Sequence, residues 1–516
     1  MLTPEQLAYC ADDMINLYSQ LDEEIVRDIA RRITKAGTLT ETGRLQFNVL
    51  QNVGMVYDDI LKTVSSYTRK SEEILHDLFE NAALWSVEYD MSIYSANGLN
   101  PIPLNMSPTA MQTLEAGYIK TNGNIQNLTR TTAITSQTNF INACTIAEMK
   151  VESGAFSYNQ AISDAVKQIA SMGTYVLYPS GHKDKIDVAV RRNVMTGLGQ
   201  TTGQIALGYA QELGCDLMEI TAHAGARPSH SSWQGQIVSL SGRKGYLSLD
   251  DIGYGTGDGF KGWNCRHDWY PYFDGSTRMY SDEDLKSLNA KDIEFPDDSM
   301  HTYYEAEQYQ RACERKIRET KRILASQDEC IKNSSSESLK NAIQNDFNVF
   351  SIKLKRQEAK LNDFCDKTGL LKDNARVQKY GFGRSTAQKA VWVNKKEVEK
   401  YTKYQYNKDG TIVVTDDWKG KKANNIPKKY KPYAVVETKT NYKSGIVQID
   451  RNFYDENALL SFQVHSSYHN KPKLHPYGNN GEHSHDFLWS DDGDRIIERT
   501  TRELSDKERR ENKNIL

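Results

Sequence analysis

Two groups of residues in this chain could carry chemistry, and the first lies near its middle. It offers three imidazoles and one thiol, which are typical ligands of Zn²⁺. They are His223, His230, Cys265 and His267. Four such ligands would complete a structural zinc site, although this spacing matches no common zinc finger. In the alternative, the histidines join Arg227 and Asn264 in hydrogen-bonding the loop's own backbone, because buried amides and carbonyls need partners.

The second group lies near the C-terminus, where five of the eleven histidines fall within a short segment. They are His465, His469, His475, His483 and His485. Histidine pairs can act as general base and acid in RNA cleavage, or bind a metal as neutral imidazoles. The alternative is a solvated loop rich in Pro and Gly, without chemistry. Because such loops are usually mobile and give catalytic groups little support, we predict nucleic-acid binding without cleavage.

A strip of lysines precedes the C-terminal histidines and is interleaved with tyrosines. Its first members are Lys419, Lys421, Lys422, Lys428, Lys429 and Lys431. Lysines beside aromatic rings suit contacts to a nucleic-acid backbone and stacking on bases. The alternative is a solvated face of a β-rich domain, which is the more frequent meaning of a charge run.

The central histidines belong to a long glycine-rich stretch, His223 to Asp274, with helical patterns on both sides. The motif HxGxRPxHxxWxG followed by GWNCRH resembles phage minor capsid proteins of the Mu F head-morphogenesis type. The resemblance is closer to the group called phage minor capsid protein 2. Its motif residues here are His223, Arg227, Pro228, His230, Trp233, Gly235, Asn264, Cys265, Arg266 and His267. The similarity extends through residues 191–207, 310–322 and 368–384.

The resemblance implies a structural minor capsid protein of a tailed bacteriophage, present in the virion near the portal and acting in head morphogenesis. It implies the portal and major capsid proteins as partners, with a link to DNA packaging and packaged DNA. Synthesis would take place in the bacterial host cytoplasm. The resemblance assigns no activity to the segment from Asp450 to Leu516.

Length and composition limit the possible folds and argue against several classes of protein. A chain of 516 residues is too long for one core, so three or four domains are expected. The mean hydropathy of -0.67 and the lack of a long apolar run argue against a membrane protein. The first residues do not resemble a secretory signal, and seven scattered cysteines do not suggest a disulfide framework.

A net charge of -3 argues against a dedicated nucleic-acid binder. The usual P-loop, HExxH, GxSxG and CxxC signatures are missing.

Periodicity predicts an α+β fold. Helices are expected at 3–36, 41–66, 70–96, from Pro108, at 127–150, after Ser157 and at 185–213, with Thr3 and Gln6 forming a capping box. A strand at 217–221 leads into a small mixed core around the motif at 216–275. An antiparallel helical hairpin follows, and a β-rich region with a hairpin turn at Asp409–Gly410 ends the chain.

This pattern predicts four domains: a helical domain at 1–120, a head-morphogenesis-like α+β domain at 121–280, a helical hairpin at 281–384 and a β-rich extension at 385–516. Three functional hypotheses stay open. The first is the structural capsid role, and the second is a virion-delivered nuclease or toxin-like effector carried by the C-terminal domain. A third is a metal-dependent activity of the central motif, with zinc as the candidate metal.

Overall fold

The structure is a computed structural model of the chain. It describes residues 1–36, 55–400, 403–418, 426–442, 445, 447–469, 471–490 and 495–516. These residues form two compact units, Met1–Ala390 and Val391–Leu516. Helices dominate the first unit and a six-stranded sheet dominates the second, which confirms the α+β class. Among the described helices, none combines the length and apolar character that a membrane span requires.

The N-terminal segment folds as two helices, α1 (Pro4–Tyr9) and α2 (Asp12–Ala36). The predicted capping box is present, because Thr3 and Gln6 each accept the other's backbone amide through their side chains. A break after Tyr9 divides the single helix predicted for residues 3–36. The next helix, α3 (Met55–Ala96), is continuous through the break predicted near residue 70. The start of the predicted helix 41–66 lies outside the described residues.

Three further helices follow: α4 (Pro108–Glu152), α5 (Tyr158–Met172) and α6 (Ile186–Glu212). The sequence of α4 is poor in large apolar residues because small residues make its contact with α6. A Cβ atom on Gly117 would lie 2.0 Å from the Thr201 hydroxyl, and one on Gly197 would lie 2.1 Å from the Thr121 hydroxyl. The two threonine hydroxyls donate to carbonyls of their own helices, so they stay satisfied at this close approach.

The predicted helical hairpin is formed by α8 (Tyr303–Asn333) and α9 (Glu337–Thr368), after the short α7 (Asp282–Leu288). Its first helix is tied to α2 by a buried ion pair, in which Arg322 lies 3.0 Å from Asp22. Lys379 also binds Asp22, and these cations hold the pKa of that buried carboxyl well below its usual range although burial opposes the shift. Such a buried network fixes how the helices pack.

Short strands interrupt the helices of the first unit. The pair β1 (Tyr175–Leu177) and β2 (Lys183–Lys185) precedes α6. A three-stranded antiparallel sheet has β3 (Leu217–Ile220) between β4 (Ile237–Ser239) and β5 (Trp269–Tyr272). A third pair joins β6 (Lys291–Glu294) and β7 (Met300–Thr302). The loops that connect β3, β4 and β5 carry the central motif, so the sheet anchors both of its halves.

One buried apolar cluster runs through the first unit, from Leu2 on the N-terminal segment to Ile343 on α9. Side chains from α2, α3, α4, α6 and the three-stranded sheet all contribute to it. The finer division into domains at 1–120, 121–280 and 281–384 stays a prediction from the sequence.

The second unit is built on a sheet with the strand order β13-β12-β11-β10-β9-β8. All neighbours are antiparallel except the short β8. The strands are β8 (Asp416–Asp417), β9 (Val435–Asn441), β10 (Val447–Tyr454), β11 (Leu460–His465), β12 (His483–Trp489) and β13 (Ile496–Glu503), with α11 (Asp506–Glu511) after them. The predicted β-rich region begins later than residue 385, because α10 occupies Arg384–Lys400. At Asp409–Gly410 the expected hairpin is reduced to one bridge, Tyr406 with Ile412.

Candidate functional site

The central motif brings three of its four predicted ligands together. His230 ends a short 3₁₀ turn that begins at Pro228, and Cys265 and His267 lie just before β5. The Nδ1 atoms of His230 and His267 are 3.4 Å apart, and the Cys265 Sγ atom is 3.5 Å from His267 Nδ1. Ligands of a tetrahedral Zn²⁺ at about 2.0–2.3 Å would be separated by about 3.3–3.6 Å. The spacing therefore fits a metal.

His223 stands beside this group without joining it. Its ring lies 4.6 Å from the His267 ring, but its Nδ1 atom is 2.7 Å from the Ala224 carbonyl. The three converging groups are His230, Cys265 and His267, whose ligand atoms all lie within 4.8 Å of one another. Of the predicted four, the structure thus groups three and directs His223 to a backbone hydrogen bond.

The outer nitrogens of the two converging histidines have protein partners. His230 Nε2 lies 2.9 Å from the Asp258 carbonyl, and His267 Nε2 lies 3.3 Å from Gln234 Oε1. Such contacts fix the ring orientation of metal-binding histidines. They equally satisfy both rings in the hydrogen-bonded alternative, so both interpretations of the motif are compatible with these bonds.

Burial makes the central imidazoles neutral. It lowers the pKa of His230 to about 4, and burial together with Arg266 lowers the pKa of His223 to about 4. Burial likewise raises the pKa of the Cys265 thiol. A neutral imidazole is the form that binds a metal, whereas the thiol would have to lose its proton to a bound cation.

The other motif residues shape the loop. Arg227 donates to the Trp263 carbonyl, as expected of a guanidinium that binds a backbone acceptor. Trp233 is buried against His230, with ring centroids 4.3 Å apart. Gly235 has a φ of +65°, and a Cβ atom there would lie 2.5 Å from a methyl carbon of Leu285. The motif therefore needs glycine at this position.

Asn264 adopts a left-handed conformation with a φ of +54°, a region in which asparagine is among the commoner non-glycine residues. Its backbone amide donates to the Thr196 hydroxyl on α6 over 3.3 Å. The Asn-Cys-Arg-His segment is thereby turned so that Cys265 and His267 face inward while Arg266 binds the Gly225 carbonyl.

A cavity of about 600 Å³ opens beside the three converging ligands. Seven arginines from α6, the motif, α8 and the segment after α9 line it: Arg191, Arg227, Arg266, Arg311, Arg315, Arg318 and Arg376. Burial, with Arg311 and Arg376 nearby, lowers the pKa of Arg191 to about 10. Four acids, Asp12, Asp187, Glu314 and Asp373, also line the cavity, but the arginines outnumber them, which favours an anion there. Sequence reasoning missed this set, because its members are far apart in the chain and only the fold collects them.

A buried ion pair beneath the motif was also missed. Lys261 binds Asp268, and both side chains are almost wholly excluded from solvent. Asp268 also accepts the backbone amides of Leu2, at 2.7 Å, and Trp269, at 2.9 Å. The chain's first residues are therefore fastened to the second half of the motif. A lysine and an aspartate seven positions apart in a loop gave no signal of this pairing.

Three of the five C-terminal histidines lie on strands and not in the loop that the Pro and Gly content suggested. His465 ends β11, and His483 and His485 lie on β12. All three are buried, and one ligating atom from each converges with one from His469. His475 stands outside that convergence and stacks on His483, with ring centroids 4.0 Å apart. Strand β12 had little signal in the sequence, because its first residues are histidines that alternate with a small polar residue and not with β-branched or aromatic residues.

The lysine strip is only partly visible, since Lys419, Lys421 and Lys422 lie outside the described residues. The side chain of Lys428 lies over the Phe487 ring at 5.2 Å, and Arg499 lies over the same ring at 5.6 Å. Lys429 is exposed. Lys431 contacts Tyr430 and lies 3.6 Å from Asp416, which partly neutralises it.

Comparison with known proteins agrees with the motif. The family described as phage minor capsid protein 2 matches residues 2–366. The chain belongs to this family. A curated protein named "Structural protein" from Lactococcus phage LL-H is 23% identical over 304 residues, which cover 55% of this chain and 79% of that protein. No solved structure matches the chain. Family membership supports a structural role in a phage particle, in contact with other virion proteins.

Proposed function

We propose that this minor capsid protein acts in head morphogenesis near the portal vertex, in contact with the portal and major capsid proteins. The observation that carries the proposal is the extent of the family match, residues 2–366, which spans most of the helical first unit. The capsid role is accordingly assigned to that unit, and the second unit is an appended extension. Synthesis in the host cytoplasm and a part in DNA packaging belong to the same proposal.

Helix α3 offers a surface for such contacts. Leu84 and Trp85 are adjacent large apolar side chains with 43% and 54% of their surfaces exposed. Aromatic side chains are enriched where protein interfaces bury their centres, and tryptophan often dominates their energy. Both side chains point away from the core, so their replacement should leave the fold intact.

The test is incorporation into heads. A phage carrying Leu84→Ser with Trp85→Ser should contain several-fold less of this protein per major capsid protein, measured by quantitative mass spectrometry of purified particles. Leu371→Ser is the control, because that side chain is 91% exposed but lies after α9. Unchanged incorporation of the double variant would show that this surface of α3 does not contact other capsid proteins. Deletion of residues 1–120 is a poorer test, since α2 and α3 supply much of the core.

Contact with packaged DNA is the second part of the proposal. Lys428 and Arg499 place two cations at one aromatic ring, with exposed Lys429 adjacent in sequence. Cations around a half-buried aromatic ring suit contacts to a phosphate backbone. The affinity of the purified chain for DNA should fall steeply with salt. The slope of log affinity against log salt concentration should become shallower by about one per lost phosphate contact in a variant with Lys428→Ala and Lys429→Ala. Lys408→Ala should leave this slope unchanged.

The central motif is proposed as a zinc site with His230, Cys265 and His267 as ligands. Three protein ligands beside an arginine-lined cavity would leave a fourth position open, where a bound metal could polarise an anionic ligand. Purified protein should contain zinc that Cys265→Ser removes, while Cys313→Ser, at a half-buried thiol elsewhere, should retain it. Equal zinc in both variants would favour the hydrogen-bonded loop.

A virion-delivered nuclease or toxin-like effector is the second candidate function. The convergence of the C-terminal histidines is the observation that favours it, because acid and base groups must be held close together to act. The way their ring nitrogens face one another favours a different use, the binding of a metal.

A further inference from the structure

Four histidines of the second unit meet because of strand geometry. His465 on β11 pairs directly with His483 on β12, so the two side chains point to the same face of the sheet. His485 is two residues further along β12 and points to that face as well. His469 follows β11 in a loop, where its φ of +53° turns the chain back toward the strands. Two strands and one strained residue thus bring four imidazoles together.

The inner nitrogens of these rings face one another. His483 Nε2 lies 3.2 Å from His469 Nε2 and 3.2 Å from His485 Nε2. His465 Nε2 is buried and has no hydrogen-bond partner among the described residues. Imidazole nitrogens bound to tetrahedral Zn²⁺ at about 2.0–2.1 Å would be about 3.3–3.4 Å apart. The two separations from His483 Nε2 match this value, and the orphaned His465 nitrogen would gain a ligand bond.

Each outer nitrogen has its own partner, which sets the direction of the ring. Three Nδ1 atoms face acceptors, at 2.8 Å for His465 to Asp450 Oδ1, 2.7 Å for His483 to the Gly481 carbonyl and 2.9 Å for His485 to the Thr501 hydroxyl. An acceptor at Nδ1 keeps the ring proton there and leaves Nε2 free to bind a metal. His469 Nδ1 instead lies 2.7 Å from the Gln448 amide nitrogen, which is a donor, so His469 Nε2 would become a ligand once the Gln448 amide turns its oxygen toward the ring.

The environment favours the neutral rings that metals bind. His465, His483 and His485 are at most 5% exposed. Burial, aided by His465, lowers the pKa of His469 to about 3, and burial lowers the pKa of His483 to about 4. The Asp450 carboxylate beside His465 supplies negative charge that would partly offset a divalent cation.

We propose that His465, His469, His483 and His485 bind one Zn²⁺ through their Nε2 atoms in a closed, structural site. Four imidazoles whose ligating atoms lie within 4.8 Å of one another can surround one zinc ion, and they would fill its coordination shell, so no position is left for water or substrate. The metal would fasten β11, the loop after it and β12. The described residues of the second unit form two small apolar clusters, around Val435 and around Val436, so a metal would add stability where the described core is slight.

His475 provides a matched control. It stacks on His483 with the ring planes 6° apart, yet its ligating atoms are not among the converging set. His475→Ala therefore removes an imidazole from the same cluster without removing a proposed ligand. His485→Ala removes a ligand from the rigid strand β12.

The experiment uses the full-length chain, reconstituted with excess Zn²⁺ and freed of loosely bound metal by gel filtration. We expect His485→Ala to lose about one equivalent of zinc relative to the wild type, and His475→Ala to lose none. Cys265→Ser should keep this equivalent, which separates it from metal at the central motif. Equal zinc in the wild type and a folded His485→Ala variant would overturn the proposal.

A measurement that keeps all four histidine ligands of the C-terminal cluster guards against a histidine variant that fails to fold. X-ray absorption of Cys265→Ser protein loaded with Zn²⁺ should show about four nitrogen neighbours and no sulfur. Removing the metal with phenanthroline should lower the unfolding temperature of the second unit, equally in the wild type and in His475→Ala. No retained zinc in the Cys265→Ser protein would also overturn the proposal.

Discussion

The two histidine clusters use the same ligand type and differ in what surrounds it. In the central cluster, two imidazoles and a thiol converge beside a cavity lined by arginines. In the C-terminal cluster, four imidazoles converge on one another, and each has an outer partner. A metal in the first would keep an accessible position, while a metal in the second would be enclosed by protein.

The clusters also differ in what holds them without a metal. The central motif lies over the buried Lys261–Asp268 pair and against Trp233, Phe260 and Trp269, which belong to the large core of the first unit. The C-terminal cluster lies in a unit whose described residues form two small apolar clusters. The comparison indicates that the first site is supported by its fold, whereas the fold around the second would be supported by its metal.

The largest effect is expected at the buried pair beneath the central motif. Lys261→Met leaves the Asp268 carboxylate buried without its cation, which should destabilise the first unit by about 3–5 kcal/mol. Denaturant unfolding followed by tryptophan fluorescence measures the change. Lys244→Met, at an exposed lysine in the same loop, is the control. If chelation destabilised the first unit as much as Lys261→Met does, the contrast between the clusters would fail.

Acid should affect both clusters in metal-free protein, over different ranges. The folded-state pKa of His223 and of His230 is about 4, below the ordinary value of 6.5, so the unfolded chain binds protons first. Their contribution to stability is complete above about pH 6.5 and falls as pH drops, by roughly 1.4 kcal/mol per pH unit and histidine, until about pH 4.

For the second unit the same loss should continue to lower pH, because the pKa of His469 is about 3. Unfolding free energies measured between pH 7 and pH 3 in the presence of a chelator would show this difference in range. A stability that stays constant between pH 7 and pH 5 in both units would contradict the prediction.

A smaller effect is expected for Arg227, which binds the Trp263 carbonyl across the motif. Arg227→Ala should destabilise the first unit by roughly 1–3 kcal/mol, because the carbonyl loses its charged donor. Arg227→Lys should recover only part of this, since a lysine cannot reproduce the planar guanidinium. Thermal unfolding of both variants measures the difference, and an unchanged Arg227→Ala variant would show that the loop does not depend on this bond.

No cleavage of nucleic acid is expected from the second unit. A closed set of four histidines leaves no coordination position for an attacking water, so the full chain should leave labelled RNA and DNA intact, with or without divalent metal. Cleavage that His469→Ala or His483→Ala abolishes would establish the effector hypothesis and show that the C-terminal cluster is open.

Several features could be read from local sequence because local physics decides them. The capping box of Thr3 and Gln6, the helix start at Ser107–Pro108 and the helical hairpin after residue 300 each follow from a few neighbouring residues. The central motif could also be recognised from its residue types, since Gly235 and Asn264 occupy backbone conformations that few other residues tolerate. Those positions pointed to a specific loop, but they did not show which groups would meet.

What only the tertiary structure decided is which distant side chains share a space. Three central ligands converge while His223 turns to a backbone carbonyl, and seven arginines from separate elements face one cavity. The C-terminal histidines suggested a loop, because Pro and Gly flank them, yet pairing of β11 with β12 places three of them on one buried face. Strand register and helix packing are set by the burial of whole faces against partners remote in the chain, so single-residue patterns do not contain them.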